Sequence, residues 1–133
     1  MISDSKWRGR LTPEQYRVLR QKGTEPPLSG HLLHNEESGL YSCAGCGTPI
    51  FKSDAKYDSA TPGLIGWPSF SKLAHGEAVE LRADEIFGMH RTEVICKKCG
   101  SHLGHLFNDE SSPTGQHYCI NSISLAFESK EEK

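Results

Sequence analysis

The chain has no excess of either charge, no long apolar run and no even set of cysteines. Its 15 Lys and Arg nearly balance 17 Asp and Glu, a formal net charge of −2, so no basic field exists to hold nucleic acid or an anionic membrane. No stretch approaches the roughly 20 apolar residues of a membrane-spanning helix. Residues 1–10 are polar and lack the apolar core, about 7 to 15 residues long, of a signal peptide. The expectation is a cytoplasmic protein with neither nucleic acid nor membrane as partner. Internal repeats and low-complexity tracts are absent too. Because five cysteines is an odd number, at least one thiol lies outside any set of internal disulfides.

What is there fits one domain: 133 residues, long enough to bury a real core. Residues 1–10 read as a flexible N-terminus, 11–127 as the domain and 128–133 as a solvated tail. Glycine (13) and proline (7) are spread along the chain, which suits short strands joined by many turns. The clearest helix signal runs from Leu11 to Gly23. Thr12 can cap, Pro13 fits the first turn, Gln15 completes a capping box, Leu11 can staple onto Tyr16 and Gly23 can close the end, with Tyr16 and Leu19 facing inward. Residues 23–30, with two prolines and two glycines, form a connector. Strands are expected at His31 to Leu33, Gly39 to Ser42, Pro49 to Lys52, around Val79 and Leu81, at Arg91 to Cys96 and at Ser101 to Asn108. Tyr57 to Phe70 is too broken by glycine and proline for regular structure and reads as a functional loop. The fold class is mainly β, with antiparallel strands and a short N-terminal helix.

Gly115 to Phe127 reads as one further strand. Alternation places His117, Cys119, Asn121, Ile123, Leu125 and Phe127 on one face, and Tyr118, Ile120, Ser122, Ser124 and Ala126 on the other. A thiol flanked by an imidazole and an amide then emerges at its polar end.

Cys43-Ala-Gly-Cys46-Gly47 and Cys96-Lys-Lys-Cys99-Gly100 are two Cys-x-x-Cys knuckles, each followed by glycine. One tight turn with a two-residue spacer offers two thiolates to a tetrahedral zinc ion, so the pairs read as a four-cysteine structural zinc site joining hairpins distant in sequence. Disulfides, free redox dithiols and an iron–sulfur centre are the alternatives.

Cys119 is the cysteine left over. A lone cysteine is commonly a small buried hydrophobe. Against that stands its company: His117 and Asn121 lie about 7 Å away on the same strand face, and nucleophilic work by a thiol needs such neighbours. His102 and His105 follow the second knuckle directly and suit proton transfer near neutral pH, with metal ligation as the other option. His31, His34, His75 and His90 have no such setting and read as surface or structural. Trp67, between glycine and proline, is either core or an apolar wall for a small hydrophobic group.

Gly66-Trp-Pro-Ser-Phe70, Cys96-x-x-Cys-Gly-x-His-Leu-Gly-His-x-Phe107, Tyr118-Cys-Ile-Asn-Ser122 and the Gly23-Thr-Glu-Pro-Pro connector, in that arrangement, resemble the B-type methionine sulfoxide reductases from about Leu11 to Phe127. The resemblance implies a zinc-bearing fold of two antiparallel sheets and reduction of the R epimer of methionine sulfoxide in oxidised proteins and peptides. It implies Cys119 as nucleophile, His102, His105 and Asn121 as the polar side of the pocket, and Trp67 with Phe107 around the substrate methyl. A Cys119 sulfenic acid would form and be reduced by a second thiol.

Two positions depart from that family. Ile65 stands where many members have a resolving cysteine, so thioredoxin or a small thiol is expected to reduce the sulfenic acid directly, without an intramolecular disulfide. His117 stands where arginine is usual two residues before the nucleophile, next to the substrate, and titrates where arginine does not. A monomer is expected. The rival function is a non-catalytic zinc-stabilised β module that binds a protein partner and merely packs Cys119. A nucleic-acid-binding ribbon fits less well, since no basic stripe extends beyond Lys97-Lys98.

Overall fold

The computed structural model describes residue 7 and residues 9–21, 23–25, 30, 32–57, 66–74, 76–85 and 91–129. The helix α1 spans Pro13–Leu19, shorter than the expected segment. Its capping box is formed as read: Thr12 Oγ1 accepts from the Gln15 amide at 3.1 Å and the Thr12 amide donates to Gln15 Oε1 at 2.9 Å. After Arg20 the chain turns back, with the Gly23 amide donating to the Arg17 carbonyl at 2.9 Å. Val18 and Leu19 are the buried residues, and Tyr16 is half-buried. Within the first ten residues, read as a flexible N-terminus, Trp7 is buried at 2% exposure, with the Arg20 guanidinium 4.4 Å from its ring.

Among the described residues nine strands follow: β1 (Gly39–Cys43), β2 (Pro49–Lys52), β3 (Lys56–Tyr57), β4 (Ser69–Phe70), β5 (Val79–Asp84), β6 (Arg91–Cys96), β7 (His102–Asn108), β8 (Gln116–Ile120) and β9 (Leu125–Ser129). They form two antiparallel sheets, one ordered β2-β1-β9 and one ordered β3-β4-β8-β7-β6-β5. The mainly β class and the two sheets are therefore as expected. Tyr41, Phe51, Phe70, Tyr118, Ile120 and Leu125 belong to the core cluster contributed by both sheets, and Phe51 stacks on Phe70 with ring centroids 4.1 Å apart.

Several local expectations are corrected. Leu32 to His34 form a turn rather than a strand, and His31 lies outside the described residues. The region from Tyr57 to Phe70 is not wholly irregular, because β3 and β4 pair within it, Tyr57 against Ser69; residues 58–65 lie outside the described set. The strand read from Gly115 to Phe127 is two strands in different sheets, β8 and β9, joined by a 3-10 turn over Ser122–Ser124. In the tail, Glu128 and Ser129 are exposed and extend β9 opposite Leu40 and Gly39.

Strand register builds a row of side chains across the larger sheet. Arg82 pairs with Glu93, Glu93 with His105, His105 with Cys119, Cys119 with Ser69 and Ser69 with Tyr57. Directly opposed residues share a face, so this row faces away from Leu106, Tyr118 and Phe70. A register shift in the β6–β7 pairing takes Val94 to Gly104 but Ile95 to His102. Leu103 is thus the extra residue of a bulge, and the bulge puts His102 on the same face as His105, which simple alternation forbids for residues three apart.

Candidate active site

The two knuckles meet. Cys43 ends β1 and Cys96 ends β6, and each is followed by the same turn: the Gly47 amide donates to the Cys43 carbonyl and the Gly100 amide to the Cys96 carbonyl, both at 2.8 Å. Gly47 has φ 85° and Gly100 φ 77°, the left-handed conformation that glycine adopts without strain. The four sulfurs lie within 4.8 Å of one another, with Cys43 to Cys99 at 3.7 Å and Cys46 to Cys96 at 3.6 Å. A tetrahedron with metal–sulfur bonds of about 2.3 Å has its sulfurs about 3.8 Å apart, so the donor set fits a metal ion, and the separations are too long for disulfides. Hydrogen bonds from neighbouring thiols hold Cys99 well below the ordinary thiol range, while those with Cys96 and Cys99 push Cys43 up. Arg20 Nη1 donates to the Cys99 carbonyl at 3.0 Å and Arg10 Nη2 to the Gly45 carbonyl at 3.1 Å, so two cations back this electron-rich cluster.

Over the middle of the cross-strand row, a cavity of about 120 Å³ is lined by Thr24, Trp67, Arg91, Gly104, His105, Phe107, Cys119 and Asn121. A larger groove, about 520 Å³ at the edge of the smaller sheet, is lined by no described cysteine or histidine, so volume does not mark the chemistry. Close approach of β7 to β8 forms the cavity floor. A Cβ on Gly104 would collide with the Cys119 carbonyl oxygen and stand 2.9 Å from Ile120 Cα.

Cys119 is partly exposed toward the cavity, yet burial, followed by the charge of Glu25, pushes its thiol up to about 12. It is a neutral thiol at physiological pH. His105 lies directly opposite in register, and its Nε2 is 2.7 Å from Asp84 Oδ2, an oxygen that also accepts from Arg91 Nη2 at 3.1 Å. Desolvation lowers the His105 pKa below the ordinary 6.5, with the Asp84 bond opposing and Arg91 adding to the shift, so the ring is largely neutral. Arg91 Nε is buried with no hydrogen-bond partner among the described residues.

Of the residues singled out in the sequence, Cys119, His105, Asn121, Trp67 and Phe107 line this one cavity. His102 is 3% exposed and sits beside them: its Nδ1 is 2.7 Å from Glu93 Oε2 and its ring is 5.4 Å from that of His105. His117 is fully buried, and its Nδ1 lies 3.0 Å from Asp109 Oδ2, an oxygen that also accepts from the Tyr57 hydroxyl at 2.7 Å. It packs edge-on to Phe107 with centroids 6.4 Å apart. Burial holds its pKa below the ordinary value, so a neutral ring stands where the resemblance has a permanent cation. His34 is exposed; His75 and His90 lie outside the described residues.

Sequence reasoning missed Thr24, Glu25, Asp84 and Arg91. Thr24 and Glu25 belong to a motif that carried the resemblance, so a signal existed. Asp84 and Arg91 pair across β5 and β6, and only register aims them at His105.

Residues 11–129 match the SelR domain. The chain belongs to the SelR family. It is 53% identical over 130 residues to the peptide methionine sulfoxide reductase MsrB of Methanosarcina barkeri, covering 98% of this chain and 89% of that one. It is also 47% identical over 138 residues to the mitochondrial methionine-R-sulfoxide reductase B2 of Homo sapiens, covering 98% of this chain and 73% of the human one. Among solved structures, the Mis18 "Yippee-like" domain superposes with a TM-score of 0.55 at 15% identity, over 72% of this chain and all of that one, a likeness of fold alone. The SelR match begins at Leu11, before α1, and runs to the end of β9, so the helix, both sheets, the four-cysteine cluster and the Cys119 cavity all fall within it. Among the described residues of this SelR chain no helix is long and apolar enough to cross a membrane.

Proposed function

We propose that this SelR chain reduces the R epimer of methionine sulfoxide in oxidised proteins and peptides, with Cys119 as the nucleophile. The observation that carries the reading is that His105, held by Asp84, stands opposite Cys119 on the wall of a cavity that also holds Trp67 and Phe107. A carboxylate can only accept, so the proton of neutral His105 sits on Nε2 toward Asp84, and Nδ1 is left as a base. Opposed residues of an antiparallel pair have their Cα atoms about 4.5 to 5.5 Å apart, within reach of an imidazole.

In the reaction, His105 Nδ1 takes the Cys119 proton, and Sγ attacks the sulfoxide sulfur. The imidazolium returns that proton to the sulfoxide oxygen, and the oxygen then passes from the substrate sulfur to Sγ: an Sγ–oxygen bond forms as the substrate sulfur–oxygen bond and the new sulfur–sulfur bond both break. Methionine leaves with its sulfur reduced by two electrons, and the oxygen remains on Cys119 as a sulfenic acid. Trp67 and Phe107 supply an apolar seat for the methyl group, while Asn121 and Arg91 offer donors to the oxygen. His102, held by Glu93, buttresses the His105 ring, and His117 on Asp109 fixes Phe107 from behind. Two equivalents of an outside thiol, from thioredoxin or a small thiol, restore Cys119: the first displaces water to form a mixed disulfide and the second releases it.

The four-cysteine cluster takes structural zinc, which ties the knuckle after β1 to the knuckle after β6. The protein works as a cytoplasmic monomer. The test is an epimer-resolved assay with dithiothreitol and a blocked methionine sulfoxide. The R epimer should be consumed and the S epimer left, and Cys119→Ser should abolish turnover; equal use of both epimers, or an active serine variant, would overturn the reading.

A further inference from the structure

Glu25 is 5% exposed and reaches both walls of the Cys119 cavity. Its Oε2 accepts from the Ser122 amide at 2.8 Å and its Oε1 from the Ile123 amide at 3.1 Å. Its own amide donates to Asn121 Oδ1 at 3.0 Å, and its carbonyl accepts from Trp67 Nε1 at 2.9 Å. These bonds join parts of the chain that are far apart in sequence, and two of them end on residues that line the cavity. The neighbouring Thr24 lines it too.

The chemistry of the side chain suits the place. Two adjacent amides at the start of the 3-10 turn converge on one point, and a carboxylate presents two acceptor oxygens and no donor. Glutamine would satisfy one amide and set a donor against the other. The backbone bonds to Trp67 and Asn121 are made by residue 25 whatever its side chain. Their geometry depends on where the connector is held, and the carboxylate holds it.

We propose that Glu25 is a positioning residue of the site: its carboxylate pins the connector to the turn after β8, and through the backbone of residue 25 that pin sets the spacing between the Trp67 indole and the Asn121 amide. The role rests on the reductase reading for its kinetic consequence, and a second consequence is independent of it. The charge of the buried carboxylate is, after burial itself, the second cause of the raised pKa of the Cys119 thiol. His105 from β7, Arg91 from β6 and Tyr57 from β3 also surround that thiol, and each is unchanged in a variant at position 25.

The experiment compares the full chain with Glu25→Gln and Glu25→Asp. Steady-state turnover of the R epimer should show KM raised by about tenfold or more in both variants with a smaller change in kcat, as expected for a misplaced substrate seat. Alkylation of Cys119 by iodoacetamide, read as rate against pH with no substrate present, should shift to lower pH by at least about half a unit in Glu25→Gln and by less in Glu25→Asp, which keeps the charge on a shorter arm. Melting temperatures are read alongside. If variants melt earlier yet keep the parent KM, kcat and alkylation profile, Glu25 is only structural and the proposal falls; it falls equally if neither variant folds. If the parent chain consumes no sulfoxide at all, the reductase reading fails while the alkylation profiles still decide whether the Glu25 charge acts on the thiol.

Discussion

In the proposed reaction His105 starts as a neutral ring opposite a neutral thiol, and that fixes the sign of its pH dependence. Desolvation places its pKa below 6.5, and the neutral form is the one that can take the Cys119 proton. Activity should therefore be flat through neutral pH and fall only on the acid side, below 6.5, as His105 becomes protonated in the resting site. A ring required in its protonated form from the start would give the opposite limb, a decline as pH rises through that value. His105→Asn should lower kcat by about 10² to 10⁴-fold, the usual worth of a general acid–base group, and should remove the acid limb. A kcat/KM profile recorded with both proteins checks both statements. The same residue also marks how far the sequence could be read. That His105 and Cys119 belong to one site follows from residue type and from family resemblance. That Asp84 orients the ring does not, because the two are 21 residues apart and meet only through the registers of β5 with β6 and β6 with β7.

Elements were legible where the signal is local. The Thr12 and Gln15 capping box formed as read, and so did both Cys-x-x-Cys-Gly turns, because each is decided within about five residues. The strand through Cys119 was half right for a physical reason. The residue types alone do not mark a break at Ser122, but the amides of Ser122 and Ile123 are taken by Glu25, 97 and 98 residues away, so the ladder cannot continue there and the chain passes to the other sheet. The bulge at Leu103 was equally invisible, and it explains why two histidines three apart share a face. The knuckles carry the prediction at this scale. They hang from hairpins in different sheets, so a zinc ion among them is a cross-link. Structural zinc contributes on the order of 10 kcal/mol, comparable with a domain's whole stability of about 5 to 15 kcal/mol. Cys46→Ser, or heating with a strong chelator, should collapse the cooperative melt seen by calorimetry; a variant that has lost its metal but keeps the parent melting temperature would show the cluster to be dispensable.

On the scale of the whole molecule, two sheets enclose one apolar core, and the two chemistries of cysteine are kept apart. Four thiols converge on each other within 4.8 Å, and the fifth faces a cavity shared with His105, Trp67 and Phe107. With four sulfurs drawn into the cluster and Ile65 before the Gly-Trp-Pro-Ser-Phe motif, the proposed Cys119 sulfenic acid has no further cysteine to resolve it and would await an outside thiol. The most direct measurement is a single turnover without reductant: the protein, one equivalent of the R epimer of a blocked methionine sulfoxide, a sulfenic-acid trap, and peptide mapping by mass spectrometry. The trap adduct should fall on Cys119 alone, in proportion to the methionine formed, and should be absent with the S epimer. A disulfide between Cys119 and Cys43, Cys46, Cys96 or Cys99, or methionine formed with Cys119 unmodified, would contradict a one-cysteine catalyst.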